Sequence, residues 1–213
     1  MTTAVQHEPR WPVLVAMSAV LALHLALPDS LTLISTWWFV GAFVVLATLV
    51  SVFHSRGDET KAYFTGFILV IAVTMALVTS LVLLIRSLPY HTVGPLQLLR
   101  AAGSLWIGNV LVFASWYWKL DAGGPYRRAQ ACSHEEGAFL FPQMALHEEN
   151  PAKPDVWHPR FIDYLFLSFN TSTALSPTDT QIFSRWAKVL MMLQSLMSLT
   201  IIALLAARAI NVL

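Results

Sequence analysis

The chain has 213 residues, of which 56% are hydrophobic and only 12% are charged. Thirteen basic and twelve acidic side chains leave a net charge of +1, so no strong field favours nucleic acid as a partner. The single cysteine, Cys132, excludes an internal disulfide framework. The apolar residues gather into runs near the roughly 20 residues that cross a bilayer, which predicts an all-α integral membrane protein surrounded by lipid.

Three apolar runs predict an N-terminal three-helix transmembrane region over residues 1–93. The predicted spans cover residues 11–27, 31–53 and 62–88. Pro28, Asp29 and Ser30 predict a tight turn between the first two spans, because proline stops a helix and Asp or Ser can cap the next one. His24 lies in the first span and is interpreted either as part of a proton or ion path or as a neutral imidazole bonded to a neighbouring helix.

A fourth run predicts a span over residues 96–118, which ends in aromatic and basic side chains typical of a membrane interface. Asn109 is the polar outlier of this span and is interpreted as an interhelical contact. Residues 120–159 are rich in Gly, Pro and charge, and predict an extramembrane loop that is too long to be only a connector. Its Cys, His and Glu side chains match no zinc or calcium spacing, so neither a metal site nor a cofactor is predicted.

The last part of the chain combines a short aromatic run, a polar segment and a long apolar run. A helix over residues 161–175 rises only about 22 Å, short of the roughly 30 Å of hydrocarbon. We therefore expect a re-entrant half-helix at 161–171, a loop at 171–180 and a final span at 184–212. The whole chain is predicted to have about five transmembrane helices and one re-entrant half-helix.

This order of segments in residues 94–213 resembles the pore module of tetrameric, potassium-channel-like pore-loop ion channels. Members of that family carry an outer helix, an extramembrane turret, a pore half-helix, a filter of the form T-x-T-T-V-G-Y-G-D and an inner helix. Asp163 and Ser168 match half-helix positions of the family without gaps. The resemblance implies these filter-like residues: Thr171, Ser172, Thr173, Ser176, Thr178 and Asp179.

The filter-like segment also departs from the family pattern. Ser176 and Thr178 stand at both glycine positions, and Pro177 replaces the tyrosine. Because the glycines permit the backbone geometry that points carbonyl oxygens into the pore, a potassium-type carbonyl ladder is not expected. A ring of Asp179 would instead give weak cation preference. In the alternative interpretation, Ser176 to Asp179 is a helix start in which the acid complements the helix dipole.

The final helix carries three polar residues within little more than one turn, Gln194, Ser195 and Ser198. Such a polar patch is expected to face a pore or another subunit. The two signals for membrane orientation conflict. Channel-like architecture places the long loop outside the cell, whereas the distribution of Lys and Arg favours the opposite orientation.

Three functions are compatible with these features. The first is a weakly selective channel for monovalent cations, a homotetramer with several spans in an inner (plasma) membrane. The second is a non-conducting accessory or sensor protein that keeps the pore-module fold. The third is a small transporter using His24, Asn109 and Asp163, although no inverted repeat supports it. An enzyme is not predicted, because the sequence shows no nucleophile and base constellation or phosphate-binding loop.

Overall fold

The computed structural model describes residues 11–88, 94–130, 137–144, 157–173 and 179–210. These residues are mainly helical. In chain order the helices are α1 (Trp11–Leu25), α2 (Thr36–Ser55), α3 (Glu59–Ser87), α4 (Pro95–Leu120), α5 (Pro125–Gln130), α6 (Phe161–Thr173) and α7 (Arg185–Ile210). Two short strands, β1 (Phe139–Leu140) and β2 (Gln181–Ile182), pair antiparallel.

Four of these helices, α2, α3, α4 and α7, are long and apolar enough to cross a membrane. The apolar helix α1 has 15 residues and is shorter than these four. The start of α2 differs from the predicted span, because Asp29–Leu31 forms a 3-10 turn and Thr32 is extended. α4 ends at Leu120, and α5 and β1 lie within the region that the sequence predicts as loop.

The bundle is organised around α4, which contacts α1, α3, α6 and α7. We call the end where α4 finishes at Leu120 the loop end, and the end where it begins at Pro95 the far end. Near the start of α3, the Tyr63 ring lies 4.4 Å from the Lys119 Nζ atom, so α3 begins at the loop end. His24 near the end of α1 lines a cavity with Ser104 of the N-terminal half of α4, so α1 runs towards the far end.

Helix α6 also begins at the loop end and runs antiparallel to α4. The Phe161 ring in its first turn lies 6.4 Å from the Trp118 ring, and Ser168 two turns later bonds to the carbonyl oxygen of Val110. Thirteen residues of helix rise only about 20 Å. By Gln181 the chain has returned to the loop end, because β2 pairs there with β1. The start of α6 and the strand β2 after the polar segment therefore lie at the same end of the bundle.

Two groups of buried apolar side chains hold this arrangement together. One group lies among α1, α2, α3, α4 and α7, and it includes Leu84, Ala102 and Ile201. The other lies at the loop end, where Phe139 of β1 packs against the rings of Tyr117, Tyr164 and Trp186. Aromatic side chains from α4, α6 and α7 thus meet on one short strand, which fixes the starting points of α6 and α7.

The turn after α4 depends on glycine. Gly124 has a φ of +96°, and a Cβ atom there would lie 3.0 Å from the Lys119 carbonyl oxygen and 3.1 Å from the Tyr63 ring. We expect Gly124→Ala to lower the free energy of unfolding by about 2 kcal/mol, because both the backbone conformation and the close contacts disfavour a side chain. Thermal unfolding of the detergent-solubilised protein measures this change.

Gly57 provides the matched control for this prediction. It also has a positive φ, +78°, but nothing lies within 4 Å of the position that a Cβ atom would take there. Gly57→Ala should therefore show the conformational cost alone, about 1 kcal/mol. Equal losses in the two variants would contradict the role that we assign to the contacts of Gly124.

Candidate functional site

Polar side chains of α4, α6 and α7 meet in one buried cluster, which we call the polar junction. Its members are fully or almost fully buried within the single chain. They are Asn109, Tyr117, Ser168, Ser172, Gln194 and Ser198. Five of the six are among the residues that the sequence singles out: Asn109, Ser168, Ser172, Gln194 and Ser198. The junction links the half-length helix α6 to both long helices that flank it.

Gln194 is the centre of the polar junction and is 0% exposed. Its Nε2 atom lies 2.8 Å from the Ser168 carbonyl oxygen and 2.7 Å from the hydroxyl oxygens of Ser168 and Ser172. Its Oε1 atom accepts a hydrogen bond from the Tyr117 hydroxyl at 2.5 Å. One amide side chain of α7 therefore binds both α4 and α6, and it turns inward rather than towards the outer surface of the chain.

Asn109 makes the second link between α4 and α7. Its Nδ2 atom donates to the Gln194 carbonyl oxygen at 3.2 Å and to the Ser198 hydroxyl at 3.0 Å. These bonds are the interhelical contact expected for Asn109. Its Oδ1 atom is buried and has no hydrogen-bond partner within the part of the chain that the structure describes.

The C-terminal end of α6 carries the hydroxyls of the filter-like segment. The Thr171 hydroxyl donates to the Leu167 carbonyl oxygen at 2.8 Å, and the Thr173 hydroxyl lies 3.2 Å from the Phe169 carbonyl oxygen. The Ser195 hydroxyl of α7 donates to the Thr171 carbonyl oxygen at 3.3 Å. This carbonyl is one of the last four of α6, which lack partners inside the helix. Thr171, Thr173 and Ser195 remain partly exposed, whereas Ser172 is buried in the polar junction.

The predicted acidic residues lie at the loop end. Asp163 in the first turn of α6 accepts a hydrogen bond from the Arg160 backbone N–H at 2.7 Å. Burial raises the pKa of Asp163, and the Arg160 backbone bond and charge oppose that rise. Asp179 is exposed just before β2. Ser176 and Thr178 lie outside the described residues.

The three residues of the transporter hypothesis do not come together in one site. His24 packs its ring 4.4 Å from the Phe39 ring, towards the far end of the bundle. Asp163 lies at the loop end, and Asn109 lies between them in the polar junction. No continuous polar path between these three side chains is therefore apparent among the described residues.

A second polar cluster lies at the loop end, and the sequence interpretation missed it. Asp121 is 0% exposed; its carboxylate accepts from the Ala138 backbone N–H and from the Tyr164 hydroxyl, both at 2.6 Å. Arg128 is also buried and donates to the carbonyl oxygens of Trp118 and Asp121 at 2.6 and 2.9 Å. We call these residues the acid anchor: Asp121, Arg128, Ala138 and Tyr164.

The acid anchor escaped prediction because Asp121 is the first residue after a long apolar helix and stands before Ala-Gly-Gly-Pro, a sequence typical of solvated turns. Its partners lie 17 and 43 positions away. In the structure, Asp121 and Arg128 flank a turn with three successive positive φ values, at Ala122, Gly123 and Gly124. This turn reverses the chain, so that the Arg128 guanidinium of α5 contacts the carbonyl oxygens at the C-terminal end of α4.

The polar junction consists of neutral amides and hydroxyls, which can orient helices and present oxygen atoms but do not by themselves form a catalytic or metal-binding group. No group of three or more His, Cys, Asp or Glu side chains that could hold a metal ion occurs within the described ranges. The His and Glu residues of the loop at 134–136 and 147–149 lie outside them. No family model, curated protein or solved structure matches the chain.

Proposed function

We propose that this protein is a channel-like membrane protein, in which α6 and the polar segment after it form the narrow part of a cation path shared by identical subunits. The observation that carries the proposal is the course of the chain: α6 starts at the loop end, stops part of the way along α4, and the chain is back at the loop end by β2. In a bilayer this course is that of a re-entrant half-helix, with α4 as outer helix and α7 as inner helix.

The direction of α6 supports cation passage. The C-terminal end of a helix carries a partial negative charge, and α6 points this end into the middle of the bundle. Thr171 and Thr173 offer hydroxyl and carbonyl oxygens there. Oxygen dipoles of this kind replace part of the water shell of a monovalent cation. With Ser and Thr at the filter glycine positions, weak selectivity is the expected outcome.

The proposal requires several copies of the chain, since one half-helix cannot enclose a pore. The outer face of α7 is apolar, with Leu193, Leu196 and Leu199 exposed. In the most apolar stretch of α7, 17% of the residues are buried, whereas 61% are buried in the corresponding stretch of α4. This helix therefore keeps most of its surface for lipid and for neighbouring subunits. We propose a homotetramer, as in the family that the sequence resembles.

One observation favours the alternative, a non-conducting accessory or sensor protein that retains the pore-module fold. Gln194 of α7 forms hydrogen bonds with Ser172 of α6 and with Tyr117 of α4, and Ser198 of α7 forms one with Asn109 of α4. These hydrogen bonds stabilise the position of α6 without needing an ion. Together with the missing glycines, they are compatible with a module that is kept for its shape.

Ion flux into proteoliposomes separates the two functions. We expect downhill flux of K⁺ and Na⁺ at rates within about tenfold of each other, since the segment lacks a carbonyl ladder. Thr173→Leu should reduce both fluxes at least about tenfold, because it places an apolar side chain at the proposed constriction. Asp179→Asn should lower the flux of both cations relative to that of anions, because it removes the proposed ring of charge.

The matched control for the acidic variant is Asp58→Asn, which neutralises an exposed acid in the turn between α2 and α3. It should leave the flux unchanged. Size-exclusion chromatography with light scattering on the same samples should give four chains per particle. Absence of flux in a correctly folded tetramer would reject conduction and favour the accessory or sensor function. A monomeric particle would reject the shared pore.

A further inference from the structure

We infer that the loop end of the bundle faces the cytoplasm. The half-helix α6 then enters the membrane from the cytoplasmic side, the reverse of the arrangement in the channels that the sequence resembles. This inference requires that the bundle spans a membrane, but it does not require that the protein conducts ions. It follows from where the fold places the basic residues.

The structure assigns the basic residues to the two ends of the bundle unequally. Eight of the thirteen belong to elements at the loop end: Arg56, Lys61, Lys119, Arg127, Arg128, Arg160, Arg185 and Lys188. Three belong to the far end: Arg86, Arg100 and Arg208. Arg10 and Lys153 lie outside the described residues. Since Lys and Arg are retained on the cytoplasmic side of spanning helices, this excess orients the loop end inwards.

Most of the loop-end cations are available to the membrane surface. Lys119 and Arg128 are buried among aromatic rings and backbone carbonyls, so their positions have a structural explanation. The other six are exposed and come from four different parts of the fold. These exposed cations of the loop end are Arg56, Lys61, Arg127, Arg160, Arg185 and Lys188. Several exposed cations at one end of the bundle suit the anionic headgroups of a cytoplasmic leaflet.

The first turn of α7 shows most clearly that helix physics does not explain these charges. Arg185 and Lys188 lie at the N-terminal end of the helix, and that turn carries no acidic residue. The partial positive charge of a helix N-terminus disfavours cations at such positions. Both side chains are exposed. Contact with anionic headgroups at the cytoplasmic surface offsets this unfavourable placement.

The far end has a different character. It carries Trp37 and Trp38 in the first turn of α2, with exposed fractions of 81% and 78%. Tryptophan side chains are typical of either membrane interface, so they anchor this end without selecting a side. Orientation is therefore decided by the basic residues, and their distribution places the far end outside the cytoplasm.

Cysteine labelling of the full-length protein in a bacterial inner membrane tests the inference. Cys132 is replaced by Ser, and single cysteines are then introduced as Asp58→Cys at the loop end and Ser30→Cys at the far end, both at exposed positions. A membrane-impermeant maleimide is applied to cells with a permeabilised outer membrane. We expect it to label Ser30→Cys in intact cells and Asp58→Cys only after the inner membrane is opened.

The reverse labelling pattern would overturn the inference and restore the usual orientation of pore-loop channels. Equal labelling of both positions in intact cells would overturn it as well, because it would show insertion in two orientations. Binding of each variant to the maleimide after detergent solubilisation shows that the cysteine is reactive. The result is independent of flux, so failure of the proposed channel activity and failure of this inference are distinguishable.

Discussion

Gln194→Met is expected to lower the free energy of unfolding by about 2 to 4 kcal/mol, one of the two largest effects that we expect from a single substitution in this protein. Methionine keeps the length of the side chain but cannot accept from the Tyr117 hydroxyl or donate to Ser168 and Ser172. These groups are buried, so no water replaces the lost partner. Interhelical hydrogen bonds in membranes average below 1 kcal/mol each. Loss of the bonds to these three residues therefore gives the lower value of about 2 kcal/mol.

Thermal unfolding in detergent, followed by the fluorescence of the eight tryptophans, measures the change. A loss of about 2 to 4 kcal/mol corresponds to a fall of about 5 to 15 °C in Tm. Leu193→Met is the matched control, because it places the same side chain one position earlier on the exposed face of α7. It should shift Tm by less than about 2 °C. Similar shifts in both variants would show that the polar junction does not hold α6 against α7.

The helices that span the bundle could be predicted from the sequence because their signal is local. Mean hydropathy over a window of about 20 residues finds α2, α3, α4 and α7, each within a few residues of its observed bounds. The signal for the half-length helix α6 is also local, since its apolar run is too short to cross a bilayer. Its observed end at Thr173 lies two residues beyond the predicted one.

The contacts between these helices could not be predicted in the same way. The sequence predicts that Gln194 faces a pore or another subunit, whereas in the structure it is buried against Tyr117, a partner 77 positions away. Periodicity shows that Gln194 and Ser198 share a face of α7, but not which neighbour covers that face. Whether Ser195 and the exposed threonines of α6 face an ion path stays a prediction, because a single chain contains only one wall of the proposed pore.

The acid anchor is the clearest case of a site without a local signature. Asp121 directly follows α4, Ala138 directly precedes β1, and Tyr164 lies in the first turn of α6. Each of them looks ordinary in its own segment. The fold makes them one unit, because α6 runs back along α4 and places its first turn beside the last turn of α4. The acid anchor therefore holds the first turn of α6, and the polar junction holds its C-terminal half.

Asp121→Ala is expected to cost about 3 to 5 kcal/mol, the second of the two largest effects. It leaves the Ala138 backbone N–H and the Tyr164 hydroxyl buried without their acceptor. The Asp121 carbonyl oxygen that binds the buried Arg128 guanidinium is retained in alanine, so the expected cost comes from these two buried donors. Removing a charged acceptor from buried donors costs more than removing it from exposed donors, because water cannot reach the buried donors to replace it.

Denaturant or thermal unfolding in detergent tests this expectation against Asp58→Ala, which removes an exposed acid paired with Lys61. The control should change the free energy of unfolding by less than about 1 kcal/mol. Tyr164→Phe should cost about 1 to 2 kcal/mol, and less in the Asp121→Ala background, since their shared hydrogen bond is then already lost. Strictly additive losses would show that Tyr164 and Asp121 act independently. The start of α6 would then depend on the aromatic contacts of Phe139 rather than on the buried carboxylate.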